Sequence, residues 1–430
     1  MSGTGAAPRI AGLVERVLGR ELPVQLRTWD GTHAGPRNGP VLVVRSRRAL
    51  RRVLWQPDEL GLARAWVAGE IDVDGDLEGV LVRLDGVLDD LDSRPRLSAA
   101  DRAEALRSAV LLGAVGPPPK PPAIEVELAG DRHSRRRDRA AISHHYDVGN
   151  DFYELVLGPS LTYSCAYWAR PDQPEATLED AQWDKHELIC RKLGLEPGMR
   201  LLDIGCGWGS LVLHAAREHG VDVVGVTLSA AQAELAQRRI ADAGLGRLAE
   251  VRVQDWRDID DGPYDAVASV GMAEHLGSRT WPHYAERLHD LLKPGGRLLN
   301  HQIVRARQRP ATTPDQRRGR TFIDAYVFPD GELIPVGDVV RHLESGGLEV
   351  RDVHGLREHY ARTLRAWVAN LEANWERAVA LAGAGRARVW RLYMTGSALS
   401  FDAGRIGVHQ VLAVRPDKHG YAGMPMVRVS

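Results

Sequence analysis

Leu201-Leu202-Asp203-Ile204-Gly205-Cys206-Gly207-Trp208-Gly209-Ser210 is where residue type and spacing bear most directly on chemistry in this chain. An apolar run ends in an acid. Three glycines follow at every second position, and an apolar helical pattern (Leu211, Val212, Leu213, Ala215, Ala216) begins at once. That is a strand, a tight turn and a helix. Glycines in such a turn let a ligand come against the backbone without Cβ interference. Nucleotide cofactors of several kinds use a turn of this sort. No Gly-Lys-Ser/Thr follows, so the triphosphate-binding version is excluded.

A second dense stretch is residues 142–168, rich in aromatic and small polar residues: Ile142-Ser-His-His-Tyr-Asp-Val-Gly-Asn-Asp-Phe-Tyr-Glu-Leu-Val-Leu-Gly-Pro-Ser-Leu-Thr-Tyr-Ser-Cys-Ala-Tyr-Trp168. A plain core element has a different composition.

The elements that must position these residues form a regular series from Leu201 on. Val223–Val226, Val251–Val253, Tyr264–Val270 and Arg297–Val304 read as strands after Leu201–Ile204, with helical patterns between most of them. Ser229 can N-cap a helix over Ala230–Ala243, and Gly244 can end it. Such alternation specifies an α/β fold with a doubly wound, mostly parallel sheet. Its ligand lies beyond the carboxyl ends of the strands, at the switch in strand order. Asp203, Thr227, Asp255, Gly271 and His301 all fall near strand ends and are expected to share one crevice. Thr227, Ser229 and Gln232 offer hydroxyl and amide groups where many cofactor folds carry a ribose-binding acid. Asp255 can contact an adenine amino group and Trp256 can flank the ring. Trp256 is equally well read as a half-buried core aromatic.

With 430 residues the chain is too long for one ordinary domain. Residues 1–114 mix short helical and strand patterns, with Val41–Val44 a strand and Pro57–Val67 a helix, and read as a smaller N-terminal α+β domain. The Pro- and Arg-rich stretch 115–140 reads as a linker, and 141–430 as the catalytic domain. The net charge of −1 gives no reason to expect a nucleic-acid partner. Two local runs, Arg135–Arg137 and the segment carrying Arg305, Arg307, Arg309, Arg317, Arg318 and Arg320, are solvated surface or attract anionic lipid, at about 1 kcal/mol per well-placed Arg. The three cysteines (Cys165, Cys190, Cys206) have no metal spacing and form no disulfide framework, so no metal is expected and a reduced, cytoplasmic setting fits. No signal peptide and no membrane-spanning run is legible, so a lipid substrate is met from the water side, peripherally at the inner face of the membrane.

The glycine turn looks like the S-adenosylmethionine turn of the methyltransferases. Joined by His145-Tyr-Asp-Val-Gly-Asn-Asp-Phe-Tyr153, Thr162-Tyr-Ser-Cys-Ala-Tyr-Trp168, Gly225-Val-Thr-Leu-Ser229, Ser269-Val-Gly-Met-Ala-Glu-His275 and His359-Tyr-Ala-Arg-Thr363, it resembles the cyclopropane-fatty-acyl-phospholipid synthase family, which includes the mycolic acid cyclopropane synthases. The resemblance spans about residues 140–415 and implies a Rossmann-like S-adenosylmethionine methyltransferase fold. It implies transfer of a methyl from S-adenosyl-L-methionine to the cis double bond of an unsaturated phospholipid acyl chain, and deprotonation by bound bicarbonate to close a cyclopropane.

By the same resemblance the catalytic set is Cys165, Glu274, His301, Ile303 (through its backbone) and Tyr360. The cofactor set is Tyr163, Ser164, Asp203, Gly205, Gly207, Gly209, Thr227, Leu228, Gln232, Asp255 and Trp256. His144 and His145 gain no independent support. Two residues depart from the family. Ser397 stands where a cysteine is frequent, which excludes a covalent cysteine mechanism there. Ala273 replaces an aromatic before the glutamate, with the expectation of a larger pocket and a shifted chain. Such a shift leaves room for the alternative product, a 10-methylene branch reduced by a separate reductase, with ring closure still the expectation. Other readings are a small-molecule N- or O-methyltransferase and a non-catalytic lipid-binding protein. The N-terminal domain is expected to associate with lipid, and a homodimer is compatible with the sequence.

Overall fold

The computed structural model describes residues 5–92, 99–126, 134, 135, 137, 148–173, 175–306 and 320–427. Contacts divide the chain into two compact units. One takes Met1–Glu127, Arg317–Val327 and Ala382–Leu399; the other takes Leu128–Gln316, Phe328–Leu381 and Ser400–Ser430.

The first unit is α+β. Strands β1 (Gln25–Thr28), β2 (His33–Ala34), β3 (Val41–Val44) and β4 (Ile71–Asp74) form a sheet in the order β2-β1-β3-β4, with β1 and β3 parallel and the other pairs antiparallel. Helix Arg47–Trp55 is N-capped by Ser46, and helix Glu59–Val67 by Asp58, whose carboxylate accepts from Gly61 N at 3.0 Å. The cap starts that helix two residues after the expected Pro57. Ala7, Ile10, Val24, Leu26, Val44 and Val80 share one buried cluster.

The sequence reading closes this domain at 114 and assigns 141–430 to the other. The contacts instead run it through 127 and add two returning segments, for reasons visible at single side chains. The Arg388 guanidinium lies 4.4 Å over the Trp66 ring and pairs with Asp72 at 3.2 Å, while Trp66 Nε1 donates to Arg388 O at 2.8 Å. Tyr326 OH donates to Glu125 at 3.0 Å, beside the Arg64–Glu125 ion pair. Partners separated by hundreds of residues leave no periodic trace in a sequence.

The second unit is α/β. Its strands are β5 (Arg200–Ile204), β6 (Asp222–Thr227), β7 (Ala249–Val253), β8 (Tyr264–Val270), β9 (Leu292–Arg305), β10 (Glu349–Gly355) and β11 (Ile406–Val414). They lie in the order β10-β11-β9-β8-β5-β6-β7, all parallel except β11, which runs antiparallel to β9 and β10. This is the doubly wound sheet the sequence specifies. Alternate residues feed opposite faces: Leu202, Ile204, Val267 and Leu298 enter one apolar cluster, and Leu201, Val223, Ala266 and Leu299 the other. Strand order reverses between β5 and β8, which puts the ligand crevice at their carboxyl ends. Helix Leu178–Leu193 begins in a Thr177–Asp180 capping box and ends at Gly194 in the left-handed region. Ser229 caps helix Ala230–Asp242 as expected. No helix among the described residues is long and apolar enough to cross a membrane.

Candidate active site

The turn after β5 holds Gly205, Gly207 and Gly209 at φ +80°, +54° and +76°. Gly205 N and Cys206 N both donate to Val226 O, at 2.9 and 3.0 Å, tying the turn to β6. The three glycines answer different demands. A Cβ on Gly205 would stand 2.9 Å from Met272 Cβ, and one on Gly209 3.1 Å from Ala236 Cβ. At Gly207 no described atom lies within 4 Å, so this is the glycine a ligand can approach.

From the turn, aromatic rings run in an unbroken series. Trp208 packs on Tyr153 (4.7 Å between centroids), Tyr153 on Tyr163 (6.0 Å), Tyr163 on Trp367 (5.6 Å), Trp367 on Tyr360 (6.0 Å) and Tyr360 on Phe401 (4.8 Å). The expected cofactor residue Tyr163 is thus linked to the expected catalytic residue Tyr360 through a single buried indole.

Beneath the turn sit two opposite charges. Asp203 is buried, and its Oδ1 has no hydrogen-bond partner. Lys185 is buried on helix Leu178–Leu193, and its Nζ donates to Ser164 Oγ at 3.0 Å. Burial pushes Asp203 up to about 7 and Lys185 down to about 7, each shift partly offset by the other's charge. Sequence reading missed Lys185. A signal was present: Ala181, Gln182, Lys185, Ile189 and Cys190 recur at helical spacing, which places a lysine on the buried stripe.

Along the crevice, Thr227 Oγ1 donates to Gln232 Oε1 at 2.8 Å and accepts from Ser229 N at 3.2 Å; Leu228 is half-buried between them. Asp255 turns both oxygens to Arg257, accepting from its N and its guanidinium at 3.0 Å each, and so caps the short turn Trp256–Asp258. Trp256 is buried edge-on against Tyr284 at 4.8 Å, in keeping with the core-aromatic reading. His301 pairs with Val270, level with the end of β8, although β9 continues four residues beyond it. Gly271 N donates to His301 O at 2.8 Å.

Glu274 follows β8 on the turn Ala273–His275. Its Oε1 accepts from Ile303 N at 2.8 Å, and its Oε2 is buried with no partner. Burial pushes Glu274 up to about 7 against the pull of the Ile303 N–H. That N–H is therefore engaged by Glu274, whereas the resemblance has it holding bicarbonate. His301 Nδ1 lies 3.3 Å from Gln410 Nε2, its Nε2 has no partner, and burial holds the ring neutral, well below the usual histidine range. Cys165 is buried, which pushes its thiol up; Sγ lies 3.7 Å from Leu356 O, and that carbonyl also accepts from Tyr360 N. Buried and unpartnered, Asp203 Oδ1, Glu274 Oε2 and His301 Nε2 offer hydrogen-bonding capacity to a ligand.

Other expectations change. Ala273 is buried in the apolar cluster with Leu276, Trp281 and Ile334, so its small size is met by core packing. Arg137 forms a half-buried ion pair with Asp330 at 2.7 Å, and Arg135 pairs with Asp258 at 3.0 Å. Arg320 pairs with Glu125 at 3.2 Å within the first unit. These arginines are structural ties more than a lipid-attracting run; Arg136, Arg307, Arg309, Arg317 and Arg318 lie outside the described residues, as do His144 and His145. Cys190 on helix Leu178–Leu193 and His214 and His219 on helix Ser210–His219 bring ligand atoms within 4.8 Å of one another, a grouping that chain spacing did not reveal. Glu187 Oε2 lies 3.3 and 3.0 Å from the two Nε2 atoms there.

Residues 133–411 match the family model of mycolic acid cyclopropane synthetase, over more than half of the chain. The chain belongs to this family. A Mycobacterium tuberculosis protein named "Probable fatty acid methyltransferase" is 42% identical over 409 residues, 94% of each chain. The tuberculostearic acid methyltransferase UfaA1 of the same organism is 34% identical over 423 residues, 95% of this chain and 92% of its own. The solved mycolic acid cyclopropane synthase CmaA1, complexed with S-adenosylhomocysteine and CTAB, is 36% identical with a TM-score of 0.59, over 64% of this chain and 97% of that one. This member of the family is an S-adenosylmethionine-dependent methyltransferase. Its site fits that cofactor: the open face at Gly207, the unpartnered Asp203 Oδ1 and the buried Lys185 suit a ligand ending in a zwitterionic amino acid.

Proposed function

We propose that this protein methylates the cis double bond of an unsaturated phospholipid acyl chain and closes the product to a cyclopropane with bicarbonate as base. Methyl transfer to fatty acyl chains is the coarser activity that family membership carries. The observation supporting the finer reading is the pair of buried, unpartnered atoms Glu274 Oε2 and His301 Nε2, an acid near neutrality and a neutral imidazole. Such a pair suits an anion that carries its own proton. Tyr360 and Cys165 complete the expected surround, and the Ile303 N–H contributes only by fixing Glu274.

S-adenosylmethionine, when bound, supplies an electrophilic methyl; bicarbonate would supply the base. The chain's own groups do the rest. The turn at Gly207 admits the cofactor, and Lys185 and Asp203 provide opposite charges for its amino-acid end. The buried rings of Trp367 and Tyr360 and the half-buried ring of Tyr163 limit water and present π faces to positive charge. Glu274, fixed by Ile303 N–H, can hold a proton at Oε2 in the neutral range, so that it does not repel a neighbouring anion. His301 Nε2 can accept a proton or donate one. No described thiolate is required, since burial raises Cys165.

The full-length similarity to a tuberculostearic acid methyltransferase favours a second reading, in which hydride moves from the methylated carbon to its cationic neighbour and the added methyl then loses a proton, leaving a methylene branch. Proton NMR of the product lipid tests the choice. Upfield cyclopropane signals, and a rate that falls in bicarbonate-depleted buffer, are expected. Vinylidene signals without them would establish the branch, and a separate reductase would then consume it.

A further inference from the structure

Arg135, Arg137 and Arg320 of the arginine runs are tied up in ion pairs, and the first unit carries a different basic and apolar surface. Helix Arg47–Trp55 places Arg47, Arg51 and Trp55 at i, i+4 and i+8, on one face. The loop after helix Ala99–Leu111 runs along that face. A Cβ on Gly113 would lie 3.2 Å from the Arg47 guanidinium, one on Gly116 would overlap that of Arg51, and Trp55 Nε1 donates to Gly116 O at 2.9 Å. The flanking apolar side chains are turned to solvent: Trp55 is 60% exposed, Leu54 44%, Leu111 61% and Val115 59%. Neither Arg47 nor Arg51 forms an ion pair among the described residues.

We propose that this surface docks the protein on an anionic lipid bilayer, with Trp55, Leu54, Leu111 and Val115 entering the headgroup boundary and Arg47 and Arg51 meeting lipid phosphates. The inference rests on the lipid-substrate reading. Single exposed apolar residues are ordinary, but a contiguous group holding an exposed indole demands a partner. Charge complementarity decides which. An indole with its N–H tied to backbone, aliphatic neighbours and flanking guanidiniums is the composition of a helix lying in a membrane interface. A protein-facing patch would bury its centre and keep charge to the rim.

The test uses the full chain and sedimentation with vesicles of phosphatidylcholine alone or mixed with phosphatidylglycerol. Wild-type protein is expected to bind the anionic vesicles and to release as salt rises. Trp55→Ser and Leu111→Glu/Val115→Glu should cut binding about tenfold or more, and Arg47→Glu/Arg51→Glu should cut it by at least about fivefold per charge and flatten the salt dependence. Trp55, Leu111, Val115 and Arg47 are exposed and Arg51 is half-buried, so the melting temperature and S-adenosylhomocysteine affinity should both be unchanged, which certifies folding. If one variant fails that check, another carries the test. Wild-type binding in every folded variant would overturn the proposal. So would variants that only convert a dimer to monomer, which would make the patch a self-association face. Methylation of detergent-dispersed lipid without vesicle binding would refute the docking alone; vesicle binding without methylation of any acyl lipid would refute the functional reading alone.

Discussion

Glu274 is the carboxyl on which the proposed chemistry turns. Its Oε1 is spent on Ile303 N–H, and its Oε2 is sealed from water and unpartnered. Glu274→Gln keeps the shape and the neutral charge, so S-adenosylhomocysteine affinity by calorimetry is expected to hold while turnover falls by about 100-fold or more. The same residue sets a pH dependence. The folded group binds its proton up to about 7, the unfolded one only to about 4.5, so the folded state holds more protons between these values. Stability therefore falls as pH rises through that window. Thermal melts should show wild type losing stability relative to Glu274→Gln from pH 4.5 to 7, with the difference constant above. Lys185 acts through Ser164, whose oxygen accepts from the ammonium and whose own proton is thereby turned to another acceptor. Lys185→Met should weaken S-adenosylhomocysteine about tenfold, a loss typical of a charged hydrogen bond, and leave 5′-methylthioadenosine, which lacks the amino-acid end, nearly unaffected. Equal losses for both ligands would give Lys185 a merely structural role.

At the scale of elements, the turn after β5 was legible because strand, glycine spacing and helix are all local in sequence. What spacing does not say is which glycine faces ligand. Gly205 meets Met272 from the loop after β8, a neighbour in space only. Gly205→Val is therefore expected to lower the melting temperature as well as cofactor affinity. Gly207→Ala, at φ +54° with no atom nearby, should cost only about 1 kcal/mol of stability yet obstruct the cofactor. Equal cofactor affinity in Gly207→Ala and wild type would remove this face from the site. The strand-end residues Asp203, Thr227 and His301 were readable for the same local reason. Lys185 was not, because a lysine within a helical pattern reads as solvated surface until the packing of helix Leu178–Leu193 is known. Ile303 could be named but not its hydrogen bond, since Glu274 reaches it across the β8–β9 pairing.

At the scale of the molecule, the parallel sheet followed from strand–helix alternation, whereas β10 and β11 and the returning segments of the first unit depended on distant partners such as Arg388 with Trp66. The Arg135–Arg137 run illustrates the same limit. Like charges in sequence suggest a surface, while the fold pairs Arg137, half-buried, with Asp330. Arg137→Ala removes the guanidinium from which Asp330 accepts at 2.7 and 2.8 Å and should cost about 2 kcal/mol in denaturant unfolding, whereas a purely solvated arginine would cost almost nothing. The central claim concerns chemistry at a lipid double bond. Mass spectrometry of unsaturated phospholipid vesicles incubated with the purified protein and S-adenosylmethionine tests it most directly. A gain of one CH2 confined to the acyl chain, at the former double bond, is the predicted result. An unchanged chain, or a methyl placed on a headgroup nitrogen or oxygen, would contradict it.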